Sequence, residues 1–144
     1  MIRDATAGDI VAIATLEADV FGGDAWSSSQ VEAEVEAPTH RVAVAEAEGF
    51  LIGFAAIALA GGVGDLTRIA VAASARRTGV ATDLLAAVET QASQAGAERL
   101  LLEVADSNDG AVAFYVARGF EEIARRPRYY ASGDDALVFA RALG

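Results

Sequence analysis

From Asp65 to Val88 the chain reads Asp-Leu-Thr-Arg-Ile-Ala-Val-Ala-Ala-Ser-Ala-Arg-Arg-Thr-Gly-Val-Ala-Thr-Asp-Leu-Leu-Ala-Ala-Val. An apolar run, a short basic loop and a run with helical spacing follow one another without a break. The pattern predicts a strand from Leu66 to Val71, a tight loop from Ser74 to Thr78 and a helix opening near Gly79. Such a connection aims backbone N–H groups and the positive end of a helix dipole at one point, which suits an anion. Gly79 lets the backbone approach a ligand closely, and Ala81 keeps the next turn small. Arg76 and Arg77 add fixed charge where a phosphate can be held bidentately. The same residues also fit a solvated turn that contains a glycine. Neither the Gly-Lys-Ser/Thr of a P-loop nor a Gly-x-Gly-x-x-Gly run is present.

Composition narrows the chemistry around this loop. With 144 residues and 53% hydrophobic content, one domain spanning 1–144 with a real core is expected. Zero cysteines exclude disulfides, thiolate metal sites and cysteine nucleophiles, and a single histidine argues against a multi-histidine metal centre. No metal is expected. The net charge of −10 disfavours nonspecific nucleic-acid binding and would favour a basic peptide partner. No apolar run is long enough to span a bilayer, and Met1-Ile2-Arg3-Asp4 lacks a signal-peptide core, so a soluble cytoplasmic protein is expected. All eleven basic residues are arginine, which fits a GC-rich genome.

In chain order, Ile2 to Ala5 reads as a short strand. Thr6 to Asp9 then opens a helix with apolar residues at Ile10, Ile13, Ala14 and Leu16, ending between Val20 and Gly22. Ser27-x-x-Gln30 is a capping box for a short helix that Pro38 terminates. Trp26, just ahead of it, is either a core anchor or one wall of a substrate cleft. Arg41–Glu46 and Phe50–Leu59 form a hairpin. His40, at its entry, reads as a surface or capping residue.

The helix after the basic loop carries Ala81, Leu84, Leu85, Val88 and Ala92 on one face and stops at Gly96. In the next strand, Arg99 to Ala105, Leu100, Leu102 and Val104 face one way and Leu101, Glu103 and Ala105 the other. Glu103 is an acid inside an otherwise apolar strand, the most anomalous residue in the sequence. Ser107 caps a helix from about Asn108 to Ala117, on which Asn108, Ala111 and Tyr115 share a face. Phe120–Ile123 and Leu137–Ala142 close the chain as paired strands, joined through Pro127-Arg128-Tyr129-Tyr130. The order predicts an α+β sheet with helices on both faces.

Arg76-Arg77-Thr78-Gly79-Val80-Ala81 resembles the Gln/Arg-x-x-Gly-x-Gly/Ala loop of the GNAT acetyltransferases. Leu102-Glu103-Val104-x-x-Ser107-Asn108-x-x-Ala111-x-x-Phe114-Tyr115-x-x-x-Gly119-Phe120 is similar to a second run of that family. Arg128-Tyr129-Tyr130 with Asp135-Ala136, Trp26-Ser27 and Ile69-Ala70-Val71 resemble its RimI-type branch, which acetylates the N-terminal alanine of a small-subunit ribosomal protein.

The resemblance implies the GNAT fold, a mixed and mostly antiparallel sheet of six to seven strands flanked by helices. It implies that amides of Ile69, Ala70 and Val71 hold the pantetheine arm of acetyl-CoA. Arg76, Arg77, Thr78, Gly79, Val80, Ala81 and Thr82 would hold its pyrophosphate, and Asn108 would hydrogen-bond it. Glu103 would be the general base, raised by burial, and Tyr115 the acid. Trp26, Tyr129 and Tyr130 would wall the site for a protein N-terminus, by implication that of a ribosomal protein.

Alternatives from the residues alone are a buried ion pair of Glu103 with Arg128 or another arginine, and a Tyr115 packed on the sheet with its hydroxyl at the surface. A small-molecule amine as acceptor and a non-catalytic CoA-binding module are the rival functions. Ala25 in place of the branch's proline, and Ala105-Asp106 in place of an arginine and a small residue, depart from the pattern on the acceptor side.

Overall fold

The structure, a computed structural model, describes residues 1–144. Seven strands form one sheet in the order β1-β2-β3-β4-β5-β7-β6. They are β1 (Ile2–Asp4), β2 (His40–Ala47), β3 (Phe50–Ala60), β4 (Val63–Val71), β5 (Arg99–Ala105), β6 (Glu121–Arg126) and β7 (Ala136–Ala142). Every neighbouring pair is antiparallel except β4 and β5. That parallel pair needs a crossover, and the helix following the basic loop supplies it.

Four helices cover the sheet: α1 (Ile10–Phe21), α2 (Ser28–Glu36), α3 (Val80–Gln94) and α4 (Asp109–Ala117). Ile13, Leu16 and Val31 of α1 and α2 pack with Val42, Val44 and Phe54 on one face. Leu84, Leu85, Val88 and Ala92 of α3 pack with Leu100, Leu102, Tyr115 and Phe139 on the other. Alternation along β2 and β3 feeds both layers, because successive side chains leave a strand on opposite sides.

Local signals placed most boundaries. Ser27 Oγ accepts from the Gln30 N–H while Gln30 Oε1 accepts from the Ser27 N–H, so the capping box of α2 is closed in both directions. Gly79 is the N-cap of helix α3 and has φ +86°, a left-handed value that glycine adopts without a Cβ penalty. Three of the boundaries that differ from expectation bear on the site. Strand β4 begins at Val63, since Gly61 and Gly62, with φ +56° and +80°, turn the chain in two residues directly into pairing with β3. Strand β6 runs on to Arg126. The cap of α4 is Asn108, whose Oδ1 accepts from the Ala111 N–H at 3.2 Å; the Ser107 hydroxyl is drawn instead to Asp134.

The relationship that positions the site lies between β4 and β5. Their pairing covers only Val63–Asp65 against Arg99–Leu101. Beyond it β4 stays with β3 as far as Val71, while β5 stays with β7 as far as Ala105. A register shift at Ala56/Ile57 leaves Thr67 as an extra residue on β4, a bulge of the kind that bends a strand and increases its twist. The two strands therefore part, and a cleft opens in the middle of the sheet.

Candidate active site

The cleft leaves part of β4 without a strand partner on its β5 side. The Ala72 N–H donates to Ile52 O at 2.8 Å. Alternation along an antiparallel ladder then turns the N–H and C=O of Ile69 and Val71 away from β3, toward the gap. Ala70 has the opposite phase: its amide faces β3 and its side chain is buried in the α1–α2 layer. Of the three central-strand residues expected at the thioester, Ile69 and Val71 thus offer backbone groups and Ala70 does not.

A cavity of about 500 Å³ occupies the gap, lined by Leu66, Thr67, Arg68 and Ile69 of β4, Leu102 to Ala105 of β5, and Asn108, Ala111 and Tyr115 around α4. Phe21, Asp24 and Tyr130 complete it. The expected shared face of Asn108, Ala111 and Tyr115 is therefore the face that lines the cavity. With Asn108 Oδ1 committed to the helix cap, its amide NH₂ is the group left to donate.

Glu103 points into this cavity but is not buried. Its side chain is 34% exposed, and its Oε2 lies 3.2 Å from Nε of Arg126. The expectation of a buried carboxylate is corrected here. The strand alternation placed Glu103 on the α1–α2 face, and that face is uncovered at this point. The ion pair forms with Arg126 rather than Arg128, whose backbone N–H instead donates to Asp135.

Tyr115 is the buried member of the pair, 7% exposed and packed edge-to-face against Phe114 and Phe120. Burial pushes its hydroxyl up to about 12, because a phenolate loses hydration there. The group is a proton donor throughout the neutral range.

Further along the cleft, a cavity of about 360 Å³ is lined by Val71, Ala75, Arg76, Arg77, Gly79, Val80, Ala81, Thr82, Phe114 and Arg118. The first-turn amides of α3 have no intrahelical acceptors, so this opening is lined with donors. Arg77 has φ +64°, which closes the loop tightly ahead of Gly79. Thr78 is the expected loop residue outside this lining; its hydroxyl turns back onto Ala75 O.

Sequence reasoning missed Arg118. It reaches across from the end of α4, donates to Thr82 Oγ1 at 2.6 and 3.1 Å and to Phe114 O at 2.9 Å, and stacks 3.8 Å above the Phe114 ring. Its place directly before the helix-stopping Gly119 was the available signal.

On the α1–α2 side the cavity continues into a groove of about 720 Å³. Trp26 and Glu34 form one bank, Arg126, Tyr129 and Tyr130 the other, and Asp65, Thr67, Leu101 and Glu103 the floor. Trp26 has both roles weighed for it: it packs against Phe54 at 6.4 Å and lines the groove. Tyr129 and Tyr130 meet edge-to-face at 5.1 Å. Burial, then the charge of Glu103 and the neighbouring Tyr129, raise the Tyr130 hydroxyl above its usual range.

Beneath Trp26 lies a feature the sequence did not reveal. Glu17 of α1 is fully buried, and its carboxylate accepts from the Trp26 N–H at 2.7 Å and from Arg68 Nε at 3.0 Å. The two residues are 51 positions apart in the chain.

A splayed parallel pair in a mixed sheet thus stands between a donor-lined loop at one end and an acid-bearing groove at the other. Residues 10–120 match the family model of the acetyltransferase (GNAT) family. The chain belongs to that family, N-acetyltransferases that move an acetyl group onto an amine.

Among its relatives is the N-alpha-acetyltransferase RimI of Mycobacterium tuberculosis, 31% identical over 96% of this chain and 90% of that protein. An uncharacterised Mycobacterium leprae protein is 33% identical over 98% of this chain but 40% of its own length, so the chain spans less than half of that relative. The Escherichia coli ribosomal-protein-S18-alanine N-acetyltransferase structure superposes with a TM-score of 0.89 at 25% identity, covering 100% of this chain and 94% of that one.

Proposed function

We propose that the chain is a single catalytic domain that binds acetyl-CoA in the β4–β5 cleft and acetylates the α-amine of a protein N-terminus. By this reading the residue is a small one such as alanine and the acceptor a ribosomal protein. The observation that carries the reading is the convergence of Glu103, Asn108 and Tyr115 on one cavity that opens into an extended groove, with the donor-lined opening at the α3 loop further along the same cleft. Resemblance to RimI of M. tuberculosis supports the choice of acceptor.

The residues present fit acetyl-CoA. Donors at the N-terminus of α3, with Arg76, Arg77 and Arg118, suit its phosphates. The backbone groups of Ile69 and Val71, without strand partners, suit its amide-bearing arm. Acetyl-CoA supplies the activated acetyl group; the chain's own residues align the amine and manage its protons.

An α-amine has a pKa near 8 and is mostly protonated at neutral pH, so a base must relieve it of a proton before it attacks. Glu103 is the carboxylate at the junction of cavity and groove, directly or through a water. Backbone N–H groups at Ile69 and Val71 are placed to stabilise negative charge on the acyl oxygen. Tyr115 keeps its proton in the buried wall and can donate it to the departing sulfur. The same burial that raises the hydroxyl also raises the proton affinity of a thiolate formed beside it.

The test is a panel of basic peptides beginning with Ala, Ser, Gly or Met, together with an N-terminally blocked Ala peptide, incubated with acetyl-CoA. CoA release and peptide mass are followed. Acetylation of the free Ala peptide and not of the blocked one is the expected result. Acetyl-CoA binding with transfer only to small amines would move the acceptor class, and binding with no transfer at all would leave a CoA-binding module.

A further inference from the structure

Arg68 follows the bulge residue Thr67 on β4 and lies in the wall shared by the thioester cavity and the acceptor groove. Its guanidinium is held from several sides. Nε and Nη2 donate to the buried Glu17 carboxylate at 3.0 and 3.2 Å, and Nη2 also donates to Asp24 O at 2.8 Å. Its central carbon lies 4.2 Å from the Phe21 ring centre and 4.8 Å from that of Trp26. Nη1 takes part in none of these bonds, and the side chain keeps 21% exposure.

A planar guanidinium fixed along one edge presents the other edge in a set direction. Because Glu17 already neutralises the charge, the free edge has little pull on a carboxylate. It suits a neutral acceptor such as a carbonyl oxygen. An amine at the head of a peptide carries one, on the carbon next to its Cα; a simple alkylamine has none.

We propose that Arg68 Nη1 donates to the carbonyl oxygen of the acceptor's first residue, making Arg68 the residue that selects aminoacyl chains over simple amines. This rests on the N-terminal acetyltransferase reading and adds to it a contact that reads the acceptor's backbone. Glu17 and the two aromatic rings are then the holder of a recognition group as well as a tie between α1 and the sheet.

The test compares an Ala-initiated peptide with the same peptide carrying an (E)-alkene in place of its first amide, using the full chain and Arg68→Lys. Lysine keeps a positive charge for Glu17 and loses the second, fixed donor edge. The wild-type protein is expected to favour the peptide in kcat/KM by about tenfold to a hundredfold, the range for leaving a desolvated polar group unpaired. In Arg68→Lys the ratio of peptide to isostere rates falls toward one, while acetyl-CoA affinity and the urea midpoint show that the fold is kept.

Equal losses on both substrates would make Arg68 a structural prop and overturn the proposal. If Arg68→Lys does not fold, the wild-type ratio alone decides, and a value near one overturns it. Peptide acetylation with a ratio near one sinks this inference alone; turnover of simple amines with no peptide turnover sinks the N-terminal reading and this inference together.

Discussion

Nε of Arg126 lies 3.2 Å from Oε2 of Glu103, across the mouth of the acceptor groove. By the function proposed, a cationic amine approaches at the same place, so the amine and Arg126 would compete for one carboxylate. Glu103→Gln is expected to lower kcat about 10²- to 10⁴-fold, the usual range for losing a general base. Acetyl-CoA affinity should be unchanged. Arg126→Ala should lower the KM for a basic peptide, because one competitor is gone, and barely move the urea midpoint, because partly exposed pairs contribute little. A raised KM would instead make Arg126 a binding contact. Steady-state kinetics on the two variants distinguish these outcomes.

The Glu17–Arg68 pair is asymmetric, with Glu17 fully buried and Arg68 partly exposed. Arg68→Ala strands a buried carboxylate and should cost about 3–5 kcal/mol. Glu17→Gln keeps an oxygen for the Trp26 N–H and leaves an arginine that can reach water, so its cost should be about 1–2 kcal/mol. Urea denaturation of the two variants measures the order; equal costs would contradict the burial argument.

Tyr115 links stability to alkaline pH. Its folded pKa of about 12 exceeds the unfolded value of about 10. Between those values the unfolded chain gives up a proton that the folded chain keeps, so the stabilising contribution, intact below pH 10, is lost as pH rises to 12. The loss amounts to roughly 2–3 kcal/mol. Tyr115→Phe keeps the contacts with Phe114 and Phe120 and should remove that part of the alkaline slope, while lowering kcat. Unfolding midpoints between pH 9 and 12 measure the first effect, and single-turnover rates the second.

The α3 loop predicts a split between two cofactor forms. Arg76→Ala or Arg118→Ala should weaken acetyl-CoA binding about three- to tenfold, the exposed end of the range for charge-assisted bonds. Acetyl-pantetheine, which lacks the nucleotide phosphates, should bind each variant as it binds the unaltered chain. Calorimetry with both ligands provides the comparison, and raised salt should shrink the difference.

A last substitution concerns the cleft itself. A Cβ on Gly53 would lie 3.0 Å from Ala70 O and 3.0 Å from Leu84 Cδ1. The first contact is with backbone and cannot yield by rotation. Gly53→Ala should destabilise by about 1–3 kcal/mol and weaken acetyl-CoA binding by shifting β4 beside Ile69 and Val71. Denaturation and calorimetry on the variant read both effects.

Much of the fold was legible because its signals are local. Strand β5 runs from Arg99 to Ala105 as alternation predicted, and the Ser27 capping box closes as its spacing required. The face shared by Asn108, Ala111 and Tyr115 followed from helical geometry alone. The site was legible in its residue types and less so in its surroundings. Glu103 was assigned to the correct face, yet its burial was misjudged, because what covers a face is decided by other elements. Arg68 went unnoticed inside an apolar strand for the same reason: its meaning comes from Glu17, and nothing near it in the chain announces that partner.

By itself, then, the order of residues determined the strands, helices, caps and loop that follow from periods of 2 and 3.6 and from the special backbone freedom of Gly79. Only the tertiary structure decided where β4 and β5 part, which amides are left facing the gap, and which charges meet across it. Periodicity and capping act over a few residues, whereas the cleft arises from a bulge on one strand and the differing partners of two others. Contacts between residues as far apart as Glu17 and Arg68 exist only once the sheet has brought them together.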